Sequence, residues 1–255
     1  MTFMLAYLRF EVTRAVRHRR YLVLTVVMPA AFYVALGRQT PKNVNLGGIP
    51  FATYFAVSMI SFAALSSGLN AGGPRLAMER TNGWIRQIRI TPLSPVGFVA
   101  TKVLTGVIVA GPGTLLVGLA AGLSKNVHLG AMTWLQLYAT VWLALLPFAA
   151  LGMVLGYGLD VDTAQVGTGL ILAVSSLLGG IFVPITSFPT FLQDLGRALP
   201  TYQMADAARA SVLGGPPDTF DVLGLALWTF VLGLFFVCST DATRPAHLRR
   251  TPRST

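Results

Sequence analysis

The chain is poor in charge. Of its 255 residues, 11% are charged, against about 25% in a soluble domain. That is too little to cover a water-facing globule of this size. Disorder is excluded too, because 54% of residues are hydrophobic and the mean hydropathy is +0.66. A single cysteine, Cys238, rules out a disulfide framework and a zinc–thiolate cluster. There is no G-x-x-x-x-G-K-[ST] loop for nucleotide phosphates and no H-E-x-x-H. The three histidines, His18, His128 and His247, fall in flanks or loops, so no Ser–His pair is available inside an apolar span. The glycines have no three-residue period, which excludes collagen.

What is present is a series of long apolar runs, which defines an all-α integral membrane protein in one transmembrane domain. Six spans are expected: 21–36 (with Pro29), 50–73, 95–123, 131–159 (with Pro147), 166–183 and 220–240. Gly111-Pro112-Gly113 predicts a kink within the third. Residues 1–20 carry five arginines beside a Met4/Leu5/Leu8/Val12/Val16 stripe, the pattern of an amphipathic helix lying in the membrane interface. Residues 184–219, broken by Pro184, Pro189 and Pro200, predict short external or re-entrant helices rather than a span.

The net charge is +10, and sixteen of the nineteen basic residues are arginine. Most flank apolar runs, which points to the bilayer and not to nucleic acid as the partner. With six spans, 14 basic residues fall on the side of the termini and 5 on the other, which puts both termini in the cytoplasm. Charge inside the spans is nearly absent. Lys102 lies seven residues into the third run and is expected to snorkel to the cytoplasmic surface. The absence of a titratable relay speaks against a self-energised secondary transporter: energy enters from elsewhere, or flux is passive. Gly156-Tyr157-Gly158-Leu159-Asp160 is one residue away from the G-x-G-D of intramembrane aspartyl proteases, and a second aspartate on a neighbouring span is missing.

Gly118-x-x-x-Gly122 and Gly152-x-x-x-Gly156 offer faces for close helix approach. Tyr54, Phe55, Met59 and Phe62 fall partly on one face of the second run; core or lipid packing is one reading and a substrate-lining face the other. Asp160 and Asp162 read as a solvated turn or a partner contact, and Cys238 as a small buried hydrophobe.

The cytoplasmic segment 74–94 is the most informative. Trp84, Ile85 and Ile88 share one helical face, and Arg86 and Arg89 another; docking on a partner is one reading of the Trp/Ile face, and packing on its own bundle or lying in the interface is the other. Glu79-Arg80, then Gly83, then I-R-I-T-P-L-S-P over Ile88 to Pro95 resembles the cytoplasmic signature of ABC-2 type transporter permeases, and the similarity of layout extends over nearly the whole chain. Trp84 departs from it, since family members commonly carry a small or hydroxyl residue after the glycine.

The resemblance implies the membrane half of an ATP-driven exporter. It implies two permease chains, identical or paralogous, on two separate nucleotide-binding ATPase subunits that hold the ATP and Mg; this chain itself would hold no cofactor. It further implies a coupling helix over 74–94, with Glu79, Arg80, Gly83, Trp84, Arg86, Arg89, Thr91 and Pro92 as the contact residues. Short loops fit drug or antibiotic export, with lipid or polysaccharide export as the near alternative. A non-transporting scaffold is the remaining one.

Overall fold

The computed structural model describes residues 2–17, 23–37, 45–46, 48–88, 95–124 and 127–242. The chain begins with α1 (Thr2–Arg17). A short helical segment follows, in which two wide, π-type turns, Val23–Val27 and Tyr33–Gly37, flank α2 (Met28–Phe32). Pro29 has no N–H to give the carbonyl of Thr25, so a regular α-helix cannot run through this region. A two-residue hairpin pairs β1 (Asn45–Leu46) with β2 (Ile49–Pro50), with Gly48 at φ +83.

The long helices come next. They are α3 (Phe51–Thr81), the short α4 (Trp84–Ile88), α5 (Pro95–Gly122), α6 (Ala131–Leu143), α7 (Leu146–Gly158) and α8 (Val161–Leu178). Then follow the short α9 (Thr190–Ala198), α10 (Pro200–Leu213) and the final α11 (Thr219–Ala242).

Five described helical segments are long and apolar enough to cross a membrane, with α6 and α7 counted as one. The expected first span is represented by Thr25–Gly37 alone. The 184–219 segment folds as short helices, as its prolines require.

Helix α3 is the axis of the fold. Its most apolar window is wholly buried, whereas those of α8 and α11 are 17% and 6% buried. The core gathers round it: Tyr33, Met59, Ile60, Leu65, Leu69, Leu137, Leu145 and Phe148 are almost fully enclosed. Large apolar side chains on α11, such as Leu223, Leu227 and Phe230, face outward instead, where lipid is their solvent. Cys238 lies on this helix and is exposed, contrary to its reading as a buried hydrophobe.

Two helix boundaries depart from the sequence reading. Span two does not stop at Gly73: α3 runs through Pro74 to Thr81 and ends where Gly83 takes φ +73, a conformation glycine adopts at no steric cost. At 31 residues, α3 is about 46 Å long and overshoots the hydrocarbon layer by two to three turns. Run four is broken at Ala144-Leu145, because Pro147 would clash with the carbonyl of Leu143. The Gly111-Pro112-Gly113 stretch, by contrast, lies within the single helix α5.

The Gly152/Gly156 face is a true packing seam. A Cβ at either position would collide with α3 backbone, at Leu69 and Gly73 respectively. The Gly118/Gly122 pair is only half a seam: Gly118 meets Tyr138, and Gly122 faces open space.

Candidate functional site

Helix α3 carries Glu79 beyond the apolar stretch, and Glu79 is wholly buried there. Its carboxylate accepts from Lys102 Nζ at 2.6 Å and from Arg14 Nη1 at 3.2 Å. Glu11, 1% exposed, accepts from the same Lys102 Nζ at 3.1 Å and has Arg75 Nη2 at 3.8 Å. Three elements thus meet in one ion cluster: α1 gives Glu11 and Arg14, α3 gives Arg75 and Glu79, and α5 gives Lys102. Lys102 does not snorkel; it is 2% exposed, because two carboxylates hold it inside, with the Phe98 ring 5.6 Å from its ammonium. Buried charges persist only when paired, so each member depends on the others. The Tyr7 hydroxyl, also in α1, is pushed well above its ordinary pKa by burial and then by the charges of Glu11 and Glu79, so it stays protonated.

Glu79 thus lies in α3 and fastens its end, and α4 follows after the turn at Gly83. Arg80, one residue on, is exposed, and its guanidinium donates to the carbonyls of Tyr157 and Leu159, the latter at 2.7 Å. This closes the carbonyl end of α7 and ties it to α3. Gly83 turns the chain, and α4 starts at Trp84. The Trp84 ring stacks on Phe10 of α1, with centroids 5.5 Å apart and 25° between the planes. The Trp84 face expected to meet a partner is thus half used by the chain's own N-terminal helix. The Arg86 side chain, and Arg89, Thr91 and Pro92 altogether, lie outside the described residues.

Asp160 sits on the same side, in the turn between α7 and α8. It caps α8 by accepting from the Thr163 N–H at 3.1 Å, and these hydrogen bonds hold its carboxyl below the usual range.

The four residues considered as substrate path are enclosed. The Tyr54 hydroxyl donates to the Gly180 carbonyl at 3.1 Å, and Arg209 lies over its ring at 4.3 Å. Phe55 packs between Tyr33 and Phe51, Phe62 meets Phe182 at 5.1 Å, and Met59 is fully buried.

Glu11 was missed by sequence reasoning, although a signal existed. It is the only acid in the first twenty residues, and Lys102 is the only cation well inside an apolar run. Each needs a countercharge at membrane depth, and each is the other's.

These features define a multi-pass helical membrane protein with its charged machinery gathered at one end. The sequence profile described as ABC-2 family transporter protein matches residues 38–240. The chain belongs to the ABC-2 transporter family. It is 25% identical over 224 residues to the putative transport permease YvfS of Bacillus subtilis, covering 88% of this chain and 91% of that one. It is 22% identical over 237 residues to the probable doxorubicin resistance ABC transporter permease protein DrrC of Mycobacterium tuberculosis, covering 89% and 82%. No solved structure matches the chain significantly.

Proposed function

We propose that the chain is the membrane-spanning permease subunit of an ATP-driven exporter that moves a hydrophobic or amphipathic compound out of the cell. ATP, with its Mg, is bound and hydrolysed by a separate nucleotide-binding subunit. The permease works as a pair, with a second copy of itself or a paralogue, and both termini lie in the cytoplasm. A doxorubicin resistance permease among its relatives supports the drug-export branch.

One observation carries the reading: the docking segment is mechanically fastened to the bundle. Trp84 rests on α1, Arg80 holds α7, and Glu79 is locked to Lys102 at the start of α5. A push delivered at α4 reaches α1, α3, α5 and α7 together. The Tyr54–Phe62 stretch, closed inside one chain here, is proposed to meet substrate only when the bundle rearranges.

The test uses the tagged permease co-expressed with a candidate nucleotide-binding ATPase subunit. Hydrolysis by the reconstituted complex is read with and without doxorubicin. Loss of a central aromatic at an interface costs about 2 kcal/mol or more, roughly thirtyfold in occupancy. Trp84→Ala should therefore stay inserted and dimeric while ATPase capture and substrate-stimulated hydrolysis fall. Wild-type stimulation in that variant would place coupling elsewhere, most simply in α1.

A further inference from the structure

Tyr7 lies one turn before Glu11 on α1 and is 8% exposed. Its ring stacks on Phe98 of α5, with centroids 6.3 Å apart and 25° between the planes. Phe98 lies one turn before Lys102 and faces its ammonium. A phenylalanine at position 7 would make the same stack. The hydroxyl is an added cost in this buried place unless it is hydrogen-bonded, so its presence calls for a partner.

Two groups lie within its reach. The Tyr7 hydroxyl interacts with the Glu11 carboxylate and with the Trp84 indole. Tyr7 Oη, Glu11 Oε1 and Trp84 Nε1 are all closed off from water, and among the described residues none has a close, aligned hydrogen bond to any other group. An indole N–H only donates, an ionised carboxylate only accepts, and a phenol does both. One arrangement therefore serves all three: Trp84 donates to Tyr7, and Tyr7 donates to Glu11. Tyr7 keeps the proton this needs, since burial and the two nearby carboxylates disfavour its phenolate.

Glu11 carries the chain further. Lys102 Nζ lies 3.1 Å from Glu11 and 2.6 Å from Glu79. The indole of α4 is thereby linked through α1 to α5 and α3. Trp84 is only half-buried: its N–H edge is turned inward and Phe10 covers one side, so part of the ring stays outside. Stacking on Phe10 leaves the ring free to slide and turn. A hydrogen bond from its single N–H is directional and fixes that turn.

We propose that Tyr7 is a positioning residue: it holds the Trp84 ring in one orientation by relaying a hydrogen bond from the Trp84 N–H to the buried Glu11 carboxylate. The ion cluster thus sets how α4 presents its aromatic, and by linkage a displacement of α4 is felt at Glu11 and Lys102. This role rests on the coupling reading for its meaning, but its test needs no ATPase. Failure to capture an ATPase would sink the export reading and leave the result at Tyr7 standing.

The experiment is fluorine NMR of the purified full chain, labelled with fluorotryptophan, in a maltoside detergent. Four tryptophans give four signals, and Trp84→Phe identifies the one wanted. Tyr7→Phe, which removes one oxygen and keeps the Phe98 stack, should shift the Trp84 signal and leave the other three in place. Glu11→Gln should shift it as well, and should no longer do so in a Tyr7→Phe background. Asp160→Asn, at the same end of the bundle, should leave it unmoved. A Trp84 signal indifferent to Tyr7→Phe would overturn the relay, and so would a Glu11→Gln shift as large without the Tyr7 hydroxyl as with it. If Glu11→Gln fails to fold, solvent exchange of the Trp84 indole proton decides the matter. It should be about two- to tenfold faster in Tyr7→Phe than in wild type, the scale of one hydrogen bond, and equal exchange in the two would overturn the role.

Discussion

Glu79 and Asp221 are both shielded from water, one at each end of the bundle, and the chain treats them oppositely. Glu79 has Lys102 and Arg14 within 3.2 Å, and Lys102 is shared with Glu11. Asp221 keeps an oxygen with no partner, and its nearest charged influences are other aspartates. The Glu79 cluster is a fastening: its carboxylates are paired with Lys102, Arg14 and Arg75, although Glu11 Oε1 lacks a hydrogen bond, and removing one member strands the rest. Asp221 is set against Asp206, which acts on it by charge and hydrogen bond. A carboxylate buried to much the same degree is thus balanced by cations at one end of the bundle and faced by another acid at the other.

The sharpest way to break this contrast is Lys102→Met. It removes the cation shared by Glu11 and Glu79 and leaves two buried carboxylates together. Breaking a buried pair costs about 3–5 kcal/mol, a large share of the roughly 5–15 kcal/mol holding a typical fold. The melting temperature of the detergent-solubilised chain should drop further than in any other single variant discussed here. Adding Glu11→Gln and Glu79→Gln should restore part of it, because the two stranded carboxylates go and the charges left, Arg14 and Arg75, are 37% and 19% exposed. A Lys102→Met chain as stable as wild type would mean the cluster fastens nothing. At the other end, Asp221→Asn should cost no stability and could raise it.

The second region to perturb is the α3–α7 seam. Gly156→Leu would drive a side chain into the Gly72 and Gly73 carbonyls, and overpacking of this kind costs about 1–3 kcal/mol. Gly122→Leu puts the same bulk into open space and should leave the melting temperature unchanged. Equal effects from both would show that glycine content, not the seam, sets the stability.

These regions also differ in how far the sequence revealed them. The Gly152/Gly156 seam was readable because its two glycines sit one helical turn apart on a single helix. The same four-residue rule gave a half-wrong answer at Gly118/Gly122, since spacing says which residues share a face and not what lies opposite. The Glu79, Gly83 and Thr91-Pro92 order was enough to place the chain in its family. Glu79 lies in α3, because that helix runs on past Gly73 and through Pro74 to Thr81, a boundary the end of the apolar run does not reveal. The Glu11–Lys102 pair spans 91 residues, and no local period encodes such a contact.

The smallest effect sought is at Asp160, which separates a capping role from a charge role at the Glu79 end of the bundle. Its carboxylate accepts from Thr163 at the start of α8 and is fully exposed, so only a modest shift is expected. These hydrogen bonds favour the ionised form, so the folded pKa lies below the ordinary 3.8. A group whose folded pKa is depressed contributes stability that is fully present above the unfolded value and is lost as pH falls through the folded one. Asp160→Ala should therefore melt slightly below wild type at neutral pH, and the two curves should converge in acid, below the ordinary carboxylate value. Asp160→Asn keeps a side-chain oxygen able to cap, so at neutral pH it should lie between the two and show no acid convergence of its own. Melting curves across pH in one detergent decide it. A gap between Asp160→Ala and wild type that persists unchanged into acid would mean the cap does not depend on the ionised carboxylate.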